Sequence, residues 1–136
     1  MTFFADTSYW LALVDPRDPL HARALELSRE VSSGTIVTSQ MILVELLASV
    51  AANRLLRGVG VALCDRLETH RRVRIVPQSR ELFIAALELY RAREDKAWSL
   101  TDCSSFRIMR RMRISDALTY DHHFRQAGFN ALLRSD

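Results

Sequence analysis

Four carboxylates stand out by their surroundings: Asp6 ends FFAD, Glu45 sits inside the apolar ILVELL, Asp102 lies in SLTDCSS and Asp121 follows ALTY. Asp and Glu offer oxygen donors only, so such a set, if gathered, suits a hard divalent cation, Mg2+ or Mn2+. That ion would orient a phosphodiester, acidify nearby water and stabilise the charge of the transition state, which is nuclease chemistry. Gathered without a cation, the acids would repel: two unit charges 4 Å apart interact by roughly 4 kcal/mol at an effective dielectric near 20.

Each acid has a plainer use to weigh. Asp6 can cap a helix starting at Thr7, Asp102 can complete a capping box with Ser99, and Asp121 can cap the turn HHFRQAG. Glu45 has no capping use. Its neighbours Ile42, Leu43, Val44, Leu46 and Leu47 describe a helix apolar nearly all round, hence buried, where a carboxylate needs a proton, an arginine or a metal. Thr7, Ser8 and Thr101 lie beside the acids and can cap helices or hold water near an ion.

The elements that would position these groups follow from periodicity. Residues 3–6 read as a short strand and 7–14 as a helix stopped by DPRDP. Helical spacing of Leu20, Ala24, Leu27 and Val31 marks residues 18–32, and the β-branched TIVTS (35–39) reads as a buried strand. A long apolar helix starts at Gln40, and Gly58 and Gly60 are expected to loosen the next connection. Residues 61–71 read as helix, VRIVP (73–77) as a buried strand, 81–93 as helix, EDKAW as a polar link and 99–112 as a helix. ALTY (117–120) is a fourth strand, HHFRQAG a helical turn and 129–133 a weak fifth strand. Alternating strands and helices predict one α/β domain over residues 1–136, three layers deep, with a mostly parallel sheet of four to five strands. In such a sheet the carboxyl ends of the strands share one edge, which puts all four acids together and Asp116 on the far edge.

Composition agrees with a folded domain: 136 residues, 49% hydrophobic and 26% charged. No apolar run approaches the roughly 18–20 residues that span a bilayer, and no basic leader precedes a signal-like stretch, so a cytoplasmic chain is expected, with no membrane role. Cys64 and Cys103 have no CxxC spacing, which argues against a disulfide scaffold or thiolate zinc site. Of 19 basic residues only Lys96 is lysine. Arginines cluster at Arg71, Arg72 and Arg74 and at Arg107, Arg110, Arg111 and Arg113, a hint of phosphate binding that a solvated helix face explains as well. His122 and His123 lack an HxxxH partner and are left out of the site; His21 and His70 read as surface residues, and Trp10, Trp98 and Cys103 as packing.

FADTSYW, TSQMILVEL, SLTDCSSF and ALTYDHHFRQAGF, in this order and spacing, resemble the four acidic blocks of PIN-domain ribonucleases, nearest to the VapC-type toxins of toxin–antitoxin pairs. The resemblance runs from residue 3 to about 129. It implies a parallel sheet flanked by helices, Mg2+- or Mn2+-dependent endonucleolytic hydrolysis of RNA, a homodimer and a small antitoxin whose tail enters the acidic cleft. Carried over block by block, the family's ligands fall on Asp6, Glu45, Asp102 and Asp121. A non-catalytic RNA- or protein-binding module on the same fold is the alternative, and retention of all four acids argues against it. A receiver-like phosphoacceptor domain would need paired acids after the first strand and a lysine near the last, where Lys96 does not lie.

Overall fold

The computed structural model of the chain describes residues 1–135. Five strands, β1 (Thr2–Ala5), β2 (Thr35–Ser39), β3 (Val73–Val76), β4 (Asp116–Leu118) and β5 (Asn130–Ala131), form one sheet in the order β3-β2-β1-β4-β5. Every pairing is parallel, with Phe4 in register with both Val37 and Ala117. Sheets of this kind are covered on both faces and take short apolar strands, which explains why Phe4, Ala5, Val37, Ala117 and Leu118 are buried.

Seven helices among the described residues supply the cover: α1 (Thr7–Val14), α2 (His21–Glu30), α3 (Gln40–Val50), α4 (Arg54–Thr69), α5 (Arg80–Ala92), α6 (Leu100–Met112) and α7 (His122–Gln126). Their starts are chemical. Ser39 accepts from the amide of Ile42 at 3.1 Å, Asn53 from Leu56 at 3.0 Å and Ser79 from Leu82 at 3.0 Å, which satisfies amides that a helix start leaves open.

From β1 the chain passes to β2 and β3 on one side and returns to β4 and β5 on the other. The carboxyl ends of β1 and β4 therefore border the switch point of the sheet, where open α/β folds bind ligands.

Several boundaries differ from those read in the sequence. The long helix from Gln40 breaks at residues 51–53, because Asn53 caps a new helix there. Gly58 and Gly60 consequently lie inside α4 and not in a connection. The strand read at 117–120 spans Asp116–Leu118, which frees Thr119 and Tyr120 to turn toward α1. The helix around Glu45 is buried on one face only: Ile42, Leu43, Leu46 and Val50 pack inward, while Val44 is 65% exposed. His21 is partly buried, with Nδ1 2.7 Å from the carbonyl of Ala12. Trp10, Trp98 and Cys103 are core, as expected. Among the described residues no helix is long and apolar enough to cross a membrane.

Candidate active site

Asp6, Glu45, Asp102 and Asp121 line one pit of about 400 Å3 at the switch point, together with Thr7, Ser8, Leu11, Ala97, Ser99 and His123. Each arrives on a different element. Asp6 follows β1 at the head of α1, Glu45 is on α3, Asp102 is in the first turn of α6, and Asp121 begins α7. Of the hydroxyls named from sequence, Thr7 and Ser8 line the pit and Thr101 does not.

The capping readings divide the four. Asp102 completes the capping box: its Oδ2 accepts from the Ser99 amide at 3.0 Å and its own amide donates to Ser99 Oγ at 3.0 Å. Asp121 caps α7 through Oδ1 and the His123 amide at 2.9 Å. Asp6 occupies the capping position of α1, yet its side chain makes no capping hydrogen bond. That carboxylate points instead to Thr119, whose hydroxyl donates to Asp6 Oδ2 at 2.7 Å, with Ser8 Oγ on the same oxygen at 3.2 Å. Glu45 accepts from the Thr7 hydroxyl and has no arginine partner among the described residues.

Burial and mutual charge act on these groups together. Asp6 is 5% exposed, and its desolvation pushes the carboxyl up to about 7 from 3.8. The Thr119 hydrogen bond opposes that rise, while Asp102 and Glu45 add to it. Asp102 is also raised, first by burial and further by Asp121, against hydrogen bonds from Ser99 and His123. Among the described residues no arginine or lysine lines the pit, so its negative charge has no fixed counterion.

Sequence reasoning passed over two participants. Thr119 is fully buried and joins two acids, donating to Asp6 and accepting from the Asp121 amide at 3.0 Å. His123 sets Nδ1 3.0 Å from Asp102 Oδ2 and 3.4 Å from Asp121 Oδ1. The available signal was spacing, since each lies two residues from Asp121, but neither shows which way a side chain turns after a three-residue strand.

Hard oxygen donors around an uncompensated pit fit a divalent cation. Among the described residues a tighter group of three donors exists, Asp121, His122 and His123, within 4.8 Å of one another, and no three of the four acids are drawn that close. Those three are sequence neighbours, His122 is 61% exposed, and His123 is already engaged by Asp102, so adjacency accounts for their closeness. Three of the seven clustered arginines hold structure. Arg72 donates to the Ser33 carbonyl, Arg107 to Ala85 and Arg110 to Ala127, while Arg71 and Arg74 stand at the amino end of β3, away from the acidic edge.

The family model of the PIN domain matches residues 3–130. The chain belongs to the PIN domain family. Among PIN proteins it is 31% identical over 126 residues to the 23S rRNA-specific endonuclease VapC20 of Mycobacterium tuberculosis, in strains CDC 1551 / Oshkosh and ATCC 25618 / H37Rv, covering 93% of this chain and 94% of that protein. The crystal structure of M. tuberculosis VapC20, described as a Sarcin-Ricin loop cleaving toxin, superposes with a TM-score of 0.80 at 26% identity, over 93% of this chain and 95% of that one. The five-stranded parallel sheet flanked by helices is thus the PIN fold, of VapC type.

Proposed function

We propose that residues 1–136 form one nuclease domain that cleaves RNA internally with a divalent metal, Mg2+ or Mn2+, and acts as the toxin of a toxin–antitoxin pair. The carrying observation is the pit itself: four carboxylates from four elements line it, with no arginine or lysine among its described walls. Similarity to an rRNA endonuclease over 93% of the chain supports the reading and makes 23S rRNA the first substrate to try.

Asp6, Glu45, Asp102 and Asp121 would hold the ion. When bound, it supplies positive charge at the scissile phosphate and lowers the pKa of water beside it. The remaining work falls to the chain. Thr7 orients Glu45, Thr119 orients Asp6, and His123 steadies Asp102, which is anchored through Oδ2 by both the Ser99 amide and the imidazole. Such supporting hydrogen bonds keep ligands in one geometry, so little reorganisation accompanies reaction.

The proposed partners are RNA, a cognate antitoxin that blocks the pit and a second copy of the chain. Exposed Val44, Leu55, Phe83 and Ile84 leave apolar helix surface that self-association would cover.

The test is cleavage of 23S rRNA, and of a short RNA carrying its sarcin–ricin loop, by the purified chain free of antitoxin. Internal cuts with Mg2+ or Mn2+, none with EDTA and none by Glu45→Gln are expected. Metal-independent cutting, or no cutting by the wild type, overturns the proposal.

A further inference from the structure

A second hollow lies beside the acidic pit. It is a cavity of about 710 Å3 framed by the last turns of α5, the link to α6 and Cys103. Ala97 and Ser99 line both spaces, so the two are neighbours across a shared wall. The volume falls within the roughly 300–1,000 Å3 typical of small-ligand sites, enough for a nucleotide.

Its chemistry differs from that of the pit. Tyr90, Arg91, Arg93, Lys96 and Trp98 line it, with Glu94 the one acid. Arg93 is committed: it forms a two-pronged pair with Asp95 at 3.0 Å and lies 5.0 Å over the Trp98 ring, itself held by Gln126. Arg91 and Lys96 form no ion pair among the described residues. Tyr90 is 50% exposed, with its ring available at the mouth. The chain's one lysine thus stands beside an uncommitted arginine and an open aromatic face, next to the place where a phosphodiester would be cut.

We propose that this hollow is a subsite for the RNA nucleotide adjoining the scissile phosphate, its base stacked on Tyr90 and its backbone phosphates held by Arg91 and Lys96. This deepens the nuclease reading and rests on it for the direction of the strand. RNA suits the surface because unpaired bases stack on aromatics whatever their identity, while cations follow the backbone. A strand whose phosphate entered the pit would have its neighbour at the shared wall.

The test is fluorescence anisotropy of a labelled RNA hairpin in EDTA, where metal-dependent cleavage is off. Tyr90→Ala is expected to weaken binding about ten-fold or more, as loss of a base-stacking aromatic does. In the Arg91→Gln/Lys96→Gln variant, the slope of log affinity against log salt should shrink by about 1.4, roughly 0.7 for each phosphate contact on a single strand. Arg71→Gln, at the far edge of the sheet, should leave that slope unchanged. All these side chains are at least partly exposed, so folding is expected to persist and is checked by thermal melting. Wild-type cleavage of the same RNA with Mn2+ is measured alongside. If the wild type cuts but the variants bind with unchanged affinity and slope, the subsite falls, the nuclease reading stands and the groove is left to a protein partner. If the wild type does not cut, yet binding depends on Tyr90 and the two cations, the nuclease reading falls and with it the place beside a scissile phosphate, while RNA binding in the hollow stands. Absence of RNA binding by the wild type overturns the subsite.

Discussion

Asp6 shows most sharply the conflict between a folded chain and a working site. Its folded pKa is about 7 against 3.8, so above pH 7 both folded and unfolded chains carry the charge and the folded chain bears the full burial cost, on the order of 4 kcal/mol. As pH falls from 7 toward 4 the folded chain takes up the proton first, and the metal-free protein should gain stability. Urea unfolding in EDTA at pH 8 and pH 5 measures this, and Asp6→Asn should be the more stable protein at pH 8 with the pH dependence reduced, while losing RNA cleavage. Thr119→Val keeps the shape but removes the hydroxyl joining Asp6 to the Asp121 amide, so a loss of about 1–3 kcal/mol is expected by the same method. His123→Ala should lower Mn2+ affinity about 10- to 100-fold in calorimetry, the usual effect of removing a hydrogen bond that supports a ligand.

At the scale of the element, α3 and α4 decide where Glu45 stands. The two helices pack where Gly60 allows close approach: a Cβ there would meet Leu47 Cδ2 at 3.1 Å and Val50 Cγ2 at 3.4 Å, whereas one at Gly58 would meet nothing within 4 Å. Gly58→Ala should therefore stabilise by about 0.5–1 kcal/mol through helix propensity and a less flexible unfolded chain. Gly60→Ala should show little or none of that gain, because Leu47 has to yield; the urea midpoints of the two variants provide the comparison. The same region shows where sequence reading reaches its limit. FFAD, TIVTS and the Ser99–Asp102 box declare themselves through apolar runs and capping chemistry, and α1 and β2 were legible to the residue. The break before α4 was hidden because Asn53 interrupts a pattern that stays apolar on both sides. The exposure of Val44 depends on what packs against α3, which periodicity alone does not contain.

For the whole molecule, topology did what local pattern could not. Rules for parallel sheets placed four acids separated by as many as 115 positions at one edge, and one pit receives them all. Charge was less legible: a formal net charge of +3 and clustered arginines hinted at phosphate, but Arg72, Arg107 and Arg110 hold backbone carbonyls, and Arg91 and Lys96, outside those clusters, line the hollow beside the pit. Which arginines are committed is a tertiary fact. The most direct measurement for the central claim is anomalous diffraction from crystals of the chain soaked in Mn2+. A peak within bonding distance of carboxylate oxygens of Asp6 and Asp102, with Glu45 and Asp121 around it, is the predicted result. A peak on His122 and His123 alone, or none at a concentration that supports RNA cleavage, would contradict it.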